Sequence, residues 1–431
     1  MRLNPSRLHG FSLIEILIGM AIAMLTILIM MQAMSVAEGY RRTATTGGDA
    51  QSNGAIAMYT MQRDMRLSGY GIVTTETDGA LARCANGTTL ASNNGTALTF
   101  NNGLPFAPFV INPTGVPAGD PGSDIIAVIY SGSVGMVGNG IPIARIAANA
   151  YKATGNRGGF RNGDLILIAG QAGESCTMAE ITSLPEYGSC GDNRGNNLID
   201  AAWIVHDNAA AYFNVYASTT CTTQVTPRWN PPAELVTYTT AKAYNLGPAA
   251  HPEVLPTAIA SGLTAKLYAI RNGRLTTCDM LTSDCTVAAN ACTRVTPATC
   301  NDNVWVPLID DIVALKALYG MDSGVSGGTA NDGIVDSWLD STQIDTVTFT
   351  HIPSTFASWE QLLAARIALV SRSKQFEKNA VTTAGINWND GNSPVIDLSL
   401  TSPAATPTDW QHYRYRSFET KVPFRNMIWK K

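Results

Sequence analysis

The length, composition and charge of the chain describe a folded protein with little net charge. It has 431 residues, of which 45% are hydrophobic and 14% are charged, so its apolar side chains are sufficient for one large core or two moderate ones, and a disordered chain is excluded. Lys and Arg number 29 against 33 Asp and Glu. This near balance creates no basic surface of the kind that attracts nucleic acid, and we expect no nucleic-acid partner.

A long apolar segment lies close to the amino terminus. Residues 11–37 read FSLIEILIGMAIAMLTILIMMQAMSVA, and a helix of this length, at about 1.5 Å per residue, crosses the roughly 30 Å hydrocarbon core of a bilayer. A short polar segment that contains Arg2 and Arg7 precedes it. The segment therefore predicts a membrane span.

One carboxylate, Glu15, interrupts the apolar span. A carboxylate inside a membrane is costly and needs a partner. Cleavage after Gly10 supplies one, because the new amino group on Phe11 then lies about 6 Å along the helix from Glu15. The two charges can neutralise each other within one chain or between two staggered chains. In the second arrangement Glu15 sets the register of neighbouring subunits during assembly.

The segment Gly10-Phe11-Ser12-Leu13-Ile14-Glu15 resembles the prepilin peptidase site of type IV pilins and of type II secretion pseudopilins. The parts match in order: a short basic leader, Gly before the cut, an aromatic residue after it, Glu at the fifth mature position and then the apolar helix. The resemblance implies cleavage between Gly10 and Phe11, N-methylation of Phe11, and extraction of the subunit from the inner membrane into a helical filament.

Two other interpretations of the amino terminus stay open. The first is a conventional secretory signal that is cut near Ser35-x-Ala37. The second is a simple membrane anchor in which Glu15 lies near the headgroups. The positive-inside rule does not decide the orientation, because basic residues stand on both flanks, namely Arg2, Arg7, Arg41 and Arg42.

A single long helix is predicted after the leader. No proline occurs between Pro5 and Pro105, so one helix can extend from residue 11 to about residue 68. The stretch Thr43–Gly48 combines β-branched residues with a Gly pair, which lowers helix propensity and predicts a kink or an unwound turn.

The end of this helix carries a methionine stripe. Met58, Met61 and Met65 recur at helical spacing and predict a face that docks onto the globular part. Gly69 is a natural carboxy-terminal stop.

The eight cysteines all follow the apolar segment, and their pattern favours disulfides. No Cys-x-x-Cys pair occurs, and the spacing is too wide for a typical structural zinc site. Disulfides place this part of the chain in an oxidising compartment, and the resemblance to type IV pilins implies that this compartment is the periplasm. Pairing across short loops is the natural choice among the possible connectivities: Cys176–Cys190, Cys278–Cys285, Cys292–Cys300 and, by remainder, Cys84–Cys221.

Strand patterns dominate the rest of the chain. We predict strands near 125–130, 164–169, 344–351, 366–372 and 413–422, separated by turns rich in Gly, Asn and Pro. The segment 308–319 fits a helix or a strand equally well. The predicted fold class is α+β: a long amino-terminal helix followed by a predominantly antiparallel β domain, as in type IV pilins.

Several segments resemble the PilW family of minor type IV pilins. One is the helix end, Gln62 to Gly71, and the others lie in the last third of the chain: Val313–Gly320 with the acidic loop up to Trp338, Ala365–Ser373, and Tyr413 to Asn426. The resemblance covers residues 1–75 and about 300–431. Its implied partition is a leader at 1–10, a pilin helix at 11–68 with its span at 11–35, an expanded Cys-containing part at 69–300 and a PilW-like part at 301–431.

Signs of catalysis are weak. The histidines show no metal-binding spacing, and Gly132-Ser133-Val134-Gly135 is not a nucleophile elbow. Asp322, Asp332 and Asp336 lie in a Gly-rich loop and are weak calcium candidates, although turns favour the same residues. Aromatic residues such as Trp229, Tyr212 and Trp338 are best explained by packing. We expect no enzyme and no cofactor.

The leading functional hypothesis is a minor pilin that helps to start the pilus and supports twitching motility or adhesion. The resemblance implies four classes of partner: other minor and major pilins, the motor, the prepilin peptidase and the inner-membrane assembly platform. A J-type pseudopilin of type II secretion, an adhesin or carbohydrate-binding subunit on a pilin stem, and an exported hydrolase are the alternatives.

Overall fold

The computed structural model describes the amino-terminal helix and most of the globular part. The described residues are 12–72, 88–90, 98–99, 107–132, 140–147, 149–155, 157–170, 176–184, 202–208, 211–216, 222–230, 238, 240–249, 251, 262–294, 300–324, 328–342, 361–402 and 406–428. The predicted cut between Gly10 and Phe11 and the predicted strand at 344–351 lie outside them.

Helix α1 extends without a break over Leu13–Leu67, a length of 55 residues. Ser68 is its C-cap, and Gly69 follows with a φ of +78°, a conformation that glycine adopts without steric cost. The predicted bounds of the helix and its predicted stop at Gly69 agree with these observations.

The predicted kink at Thr43–Gly48 is wrong. The helix is continuous there, because its polar side chains and its packing compensate for the weak propensity. Thr45 Oγ1 donates to Arg41 O at 2.9 Å, Thr43 Oγ1 donates to Glu377 Oε1 at 3.2 Å, and Ala50 is already buried against the globular part. Tertiary contacts commonly override local propensity in this way.

Strands account for most of the remaining described residues, and a short helix, α2 (Arg425–Ile428), ends them. The strands are β1 (Thr88–Leu90), β2 (Leu98–Thr99), β3 (Phe109–Ile111), β4 (Ile126–Ser131), β5 (Ile141–Ala147), β6 (Ala150–Ala153), β7 (Asp164–Ala169), β8 (Cys176–Glu180), β9 (Trp203–Val205), β10 (Tyr212–Phe213), β11 (Gln224–Val225), β12 (Ala241–Pro248), β13 (Leu263–Arg271), β14 (Arg274–Asp279), β15 (Val306–Asp310), β16 (Ile312–Met321), β17 (Ser337–Leu339), β18 (Leu362–Arg372) and β19 (Tyr415–Pro423).

These strands form sheets that are almost wholly antiparallel. The orders are β2-β1-β8-β7-β12-β5-β6-β9, β15-β14-β13-β4-β3, β17-β16-β18-β19 and the pair β10-β11. Among the described pairs only β1 with β8 is parallel. The predicted α+β class, a long helix followed by a mostly antiparallel β domain, is confirmed.

Individual strand predictions agree with the structure at most positions. β7 has the predicted bounds, while β4, β18 and β19 contain or overlap the predicted segments. The ambiguous segment 308–319 is a strand pair that changes sheet at Asp311, where φ is +61°: β15 pairs with β14 and β16 pairs with β18.

The second half of α1 packs on the globular part through one face. Met58, Met61 and Met65 are at most 7% exposed and join the largest apolar core, which also contains β4, β13, β16 and β18 side chains. The predicted docking role of the methionine stripe is confirmed. Gly54 allows the closest approach, because a Cβ there would lie 2.0 Å from Cε2 of Phe418 on β19.

This close contact yields a prediction that compares two helical glycines. We expect Gly54→Leu to lower the free energy of unfolding by about 1–3 kcal/mol through overpacking against Phe418. Gly48→Leu should raise it by about 0.5–1 kcal/mol, since a Cβ at Gly48 meets nothing within 4 Å and Gly disfavours helix. Denaturant unfolding of the full chain in detergent measures both. Equal effects of the two changes would contradict the close helix-to-sheet contact.

Candidate assembly site

The amino end of α1 is fixed by a capping box. Ser12 is the N-cap and its hydroxyl accepts from the N–H of Ile14 at 3.4 Å, while Glu15 Oε2 accepts from the N–H of Ser12 at 2.9 Å. Such a pair satisfies donors that a helix leaves free at its start. Glu15 thus accepts a hydrogen bond from the backbone of its own helix end. Its pairing with an amino group on Phe11 remains a prediction.

The first half of α1 carries mostly apolar side chains that the globular part does not cover. Residues 13–36 are exposed throughout, and the large side chains among them are 52–78% exposed. This helix is long and apolar enough to cross a membrane, and none of its most apolar window is buried inside the protein. A helix satisfies its own backbone hydrogen bonds, so lipid or other apolar helices are suitable surroundings for this half.

Asp64 holds the second half of α1 to the five-stranded sheet. Its Oδ2 accepts from the hydroxyl of Tyr268 at 2.5 Å and lies 3.1 Å from Lys266 Nζ, and its Oδ1 accepts from the hydroxyl of Tyr130 at 3.3 Å. Asp64 is 7% exposed. Burial, and next the Asp64 charge, raise the pKa of Tyr268 and of Tyr130 above that of a free tyrosine, so both phenols stay protonated donors.

The end of α1 is tied to the sheets and to the last described helix. The N–H of Gly69 donates to Ile129 O at 3.0 Å, and the Ser68 hydroxyl donates to Pro108 O. Asn426 Nδ2 donates to the carbonyls of Leu67 and Ser68 at 3.4 and 3.1 Å. The two segments predicted to resemble PilW at opposite ends of the sequence, 62–71 and 413–426, therefore meet here.

Two disulfides lie beside the β13–β14 hairpin. They are Cys278–Cys285 and Cys292–Cys300, the pairs expected from the short spacing. Cys176 is disulfide-bonded, whereas Cys84, Cys190 and Cys221 lie outside the described residues, so Cys176–Cys190 and Cys84–Cys221 remain predictions.

The acidic loop that was considered for calcium is held by its own backbone. Asp322 accepts from the N–H groups of Asn331, Asp332 and Gly333 at 2.6–3.3 Å, and Asp336 Oδ2 accepts from the N–H of Gly324 at 2.7 Å. In the described part of the chain no group of three or more His, Cys, Asp or Glu side chains is placed to hold a metal ion. These carboxylates shape a turn.

The histidines are placed in packed or hydrogen-bonded positions. His251 Nε2 lies 2.6 Å from Glu180 Oε1, with both side chains fully buried. The ring of His206 stacks on Tyr151 at 4.3 Å, and burial lowers the pKa of His206 to about 4. His412 stacks on Phe376. His9 and His351 lie outside the described residues.

The aromatic residues singled out in the sequence pack as expected. Trp229 is 1% exposed, and Tyr212 is 2% exposed and donates to Glu180. Trp338 is half-buried between two cations, 5.9 Å from Arg366 and 5.7 Å from Lys421. The packing interpretation is confirmed for Trp229 and Tyr212.

Three features of this site were not predicted from the sequence. The capping box could have been predicted, because Ser12-x-x-Glu15 before an apolar run is its usual sequence pattern. The Asp64 network was not, since Tyr130 and Tyr268 are 66 and 204 residues away from it. The contact of Gly54 with Phe418 likewise joins distant parts of the chain.

The Asp64 network generates a second prediction. We expect Asp64→Ala to lower the free energy of unfolding by about 1.5–3 kcal/mol, because a buried carboxylate that accepts charged and phenolic donors is lost. Glu38→Ala on the same helix is the control: it breaks only the exposed pair with Arg42 and should change stability by less than about 1 kcal/mol.

A double-mutant cycle of Asp64→Ala with Tyr268→Phe isolates the interaction. We expect a coupling energy of about 1 kcal/mol or more. Strictly additive effects of the two substitutions would show that this hydrogen bond does not stabilise the docked helix.

The carboxy-terminal third of the chain is similar to a known protein family. Residues 283–426 match the model of the family PilW, type IV pilus-assembly protein W, a segment that contains β15 to β19, the Cys292–Cys300 disulfide and the first half of α2. No curated protein and no solved structure matches the chain. Residues 283–426 are thus similar to the PilW family, which supports the family resemblance seen in the last third of the sequence.

Proposed function

We propose that this chain is a minor pilin that takes part in type IV pilus assembly and helps to start the filament. The observation that carries this proposal is the division of α1. Its exposed apolar half extends from a globular part whose sheet β17-β16-β18-β19 lies in the PilW match, and its other half is docked on that part.

Such a division suits a subunit that moves between a membrane and a filament. In the membrane the exposed half of α1 is a single-pass span of the inner membrane, with the carboxy-terminal domain in the periplasm. In the filament the same surface packs against the helices of other minor and major pilins. The disulfides of the globular part fit an oxidising compartment.

Processing precedes assembly in this proposal. The prepilin peptidase cuts between Gly10 and Phe11 and the new amino group of Phe11 is methylated. Cleavage removes the basic leader and leaves Ser12 and Glu15 at the start of the mature helix. The inner-membrane platform then extracts the subunit.

Glu15 is proposed to set the register of assembly. Its carboxylate caps its own helix through the Ser12 N–H, and a carboxylate has further acceptor capacity for the amino group of a neighbouring Phe11. An unpaired charge in an apolar bundle is costly, so subunits in the wrong register are disfavoured.

A complementation experiment tests this function. We expect a clean deletion to reduce surface pili and twitching. Wild-type chain and Glu38→Gln should restore both, since the pair that Glu38 makes with Arg42 is exposed and is its only ion pair among the described residues. Glu15→Gln should be produced and cut but should fail to restore piliation, because the charge that pairs with the neighbouring amino group is absent.

Two outcomes would count against the proposal. Normal piliation of the deletion strain would refute a role in assembly. Full restoration by Glu15→Gln would leave the role in assembly standing but would remove Glu15 from it.

A further inference from the structure

A charged cleft of about 390 Å³ lies on the side of the globular part where several turns meet. The β13–β14 turn, the junction of β15 with β16 and the end of β18 form its walls. Its charged lining residues are Arg274, Arg294, Asp310, Asp311, Arg372, Lys374 and Asp409. Its volume falls in the range of small-molecule sites.

Three of the cations in this cleft have their own carboxylate. Both guanidinium Nη atoms of Arg274 donate to Asp302 at 3.1–3.2 Å. Lys374 Nζ lies 3.6 Å from Asp311, and Arg294 Nη2 lies 3.3 Å from Asp120.

Arg372 is the exception. Its guanidinium stacks on the ring of Tyr413 at 4.4 Å. Within the described part of the chain, no carboxylate lies at ion-pair distance from it, and its buried Nε has no acceptor. A guanidinium held in place by an aromatic ring and lacking a counterion is suited to bind an anion.

Arg294 supplies a second donor. Its side chain is 10% exposed, and its Nη1 is fixed by Thr401 O at 2.7 Å. Its buried Nη2 is close to Asp120 but makes no aligned hydrogen bond. Burial, and also the charge of Arg372, lower the pKa of Arg294, although Asp120 acts in the opposite direction. Arg294 and Arg372 line the same cleft, so their like charges repel, and an anion between them would relieve the repulsion.

The carboxylates of the cleft limit the charge and the kind of ligand. Arg372, which has no carboxylate at ion-pair distance among the described residues, can pair with one ligand carboxylate. Asp310, Asp311 and Asp409 line the same cleft and repel the doubly charged form of phosphate more strongly than they repel a monocarboxylate. They also have acceptor capacity for hydroxyl donors. A monocarboxylate that carries hydroxyl groups combines both requirements.

We propose that this cleft binds a sugar acid, with the ligand carboxylate on Arg372 and Arg294 and its hydroxyl groups on Asp310 and Asp409. Such a site is independent of the role in filament assembly. It places carbohydrate recognition in the region that matches PilW, rather than in the middle of the chain.

Titration of the purified full chain with glucuronate tests this proposal, in a detergent without a sugar headgroup and with ligand binding followed by NMR or calorimetry. We expect saturable binding that is at least about tenfold tighter than that of glucose, because a charge-assisted bidentate contact is lost with the neutral sugar. Inorganic phosphate should not compete.

Substitutions locate the site. Arg372→Gln should weaken glucuronate binding by about tenfold or more. Lys374→Gln, whose side chain is 60% exposed and therefore not needed for folding, should weaken it about two- to fivefold. Arg145→Gln, an exposed cation on β5 outside the cleft, should leave it unchanged.

Several results would overturn the proposal. Among them are equal affinities for glucose and glucuronate, displacement by phosphate, and undiminished binding in both Arg372→Gln and Lys374→Gln. Tighter binding of N-acetylglutamate than of glucuronate would also overturn it, because the cleft would then suit an acidic protein side chain.

Discussion

A single continuous helix has to satisfy two different surroundings, and the rest of the fold is arranged around that constraint. Up to about residue 36 the side chains of α1 are exposed and mostly apolar. From Ala50 onward one face of the same helix is buried, and from Ala57 onward this face is part of the main core. Helical backbone suits both halves because its hydrogen bonds are internal, so only the side chains have to change along its length.

The docked half is held by apolar packing and by several polar contacts, among which the Asp64 network joins three side chains of the five-stranded sheet. The methionine stripe and Gly54 provide close packing without direction, whereas the carboxylate of Asp64 has to meet Tyr130, Tyr268 and Lys266 at defined positions. A buried carboxylate is stable only when it is paired. Asp64 therefore contributes to fixing how α1 lies on the sheet.

The features that were predicted correctly from sequence are those set by neighbours in the chain. The extent of α1, its stop at Gly69, β7 and the two short-loop disulfides each depend on a local pattern or spacing. The prediction of a kink at Thr43–Gly48 was wrong because Glu377, which is far away in the sequence, contacts Thr43 and supports the helix there. The network of Asp64 and the cleft around Arg372 combine residues from distant segments. A single sequence contains no pattern from which such long-range contacts can be predicted.

We propose that the mature protein begins at Phe11, two residues before α1, after cleavage and methylation of the chain. Mass spectrometry of the amino terminus of the chain purified from membranes or pili tests it most directly. We predict a mature chain that starts at Phe11 with a methyl group on its amine. A chain that retains Met1 through Gly10, or one that starts at Glu38 after a conventional signal cut, would contradict it.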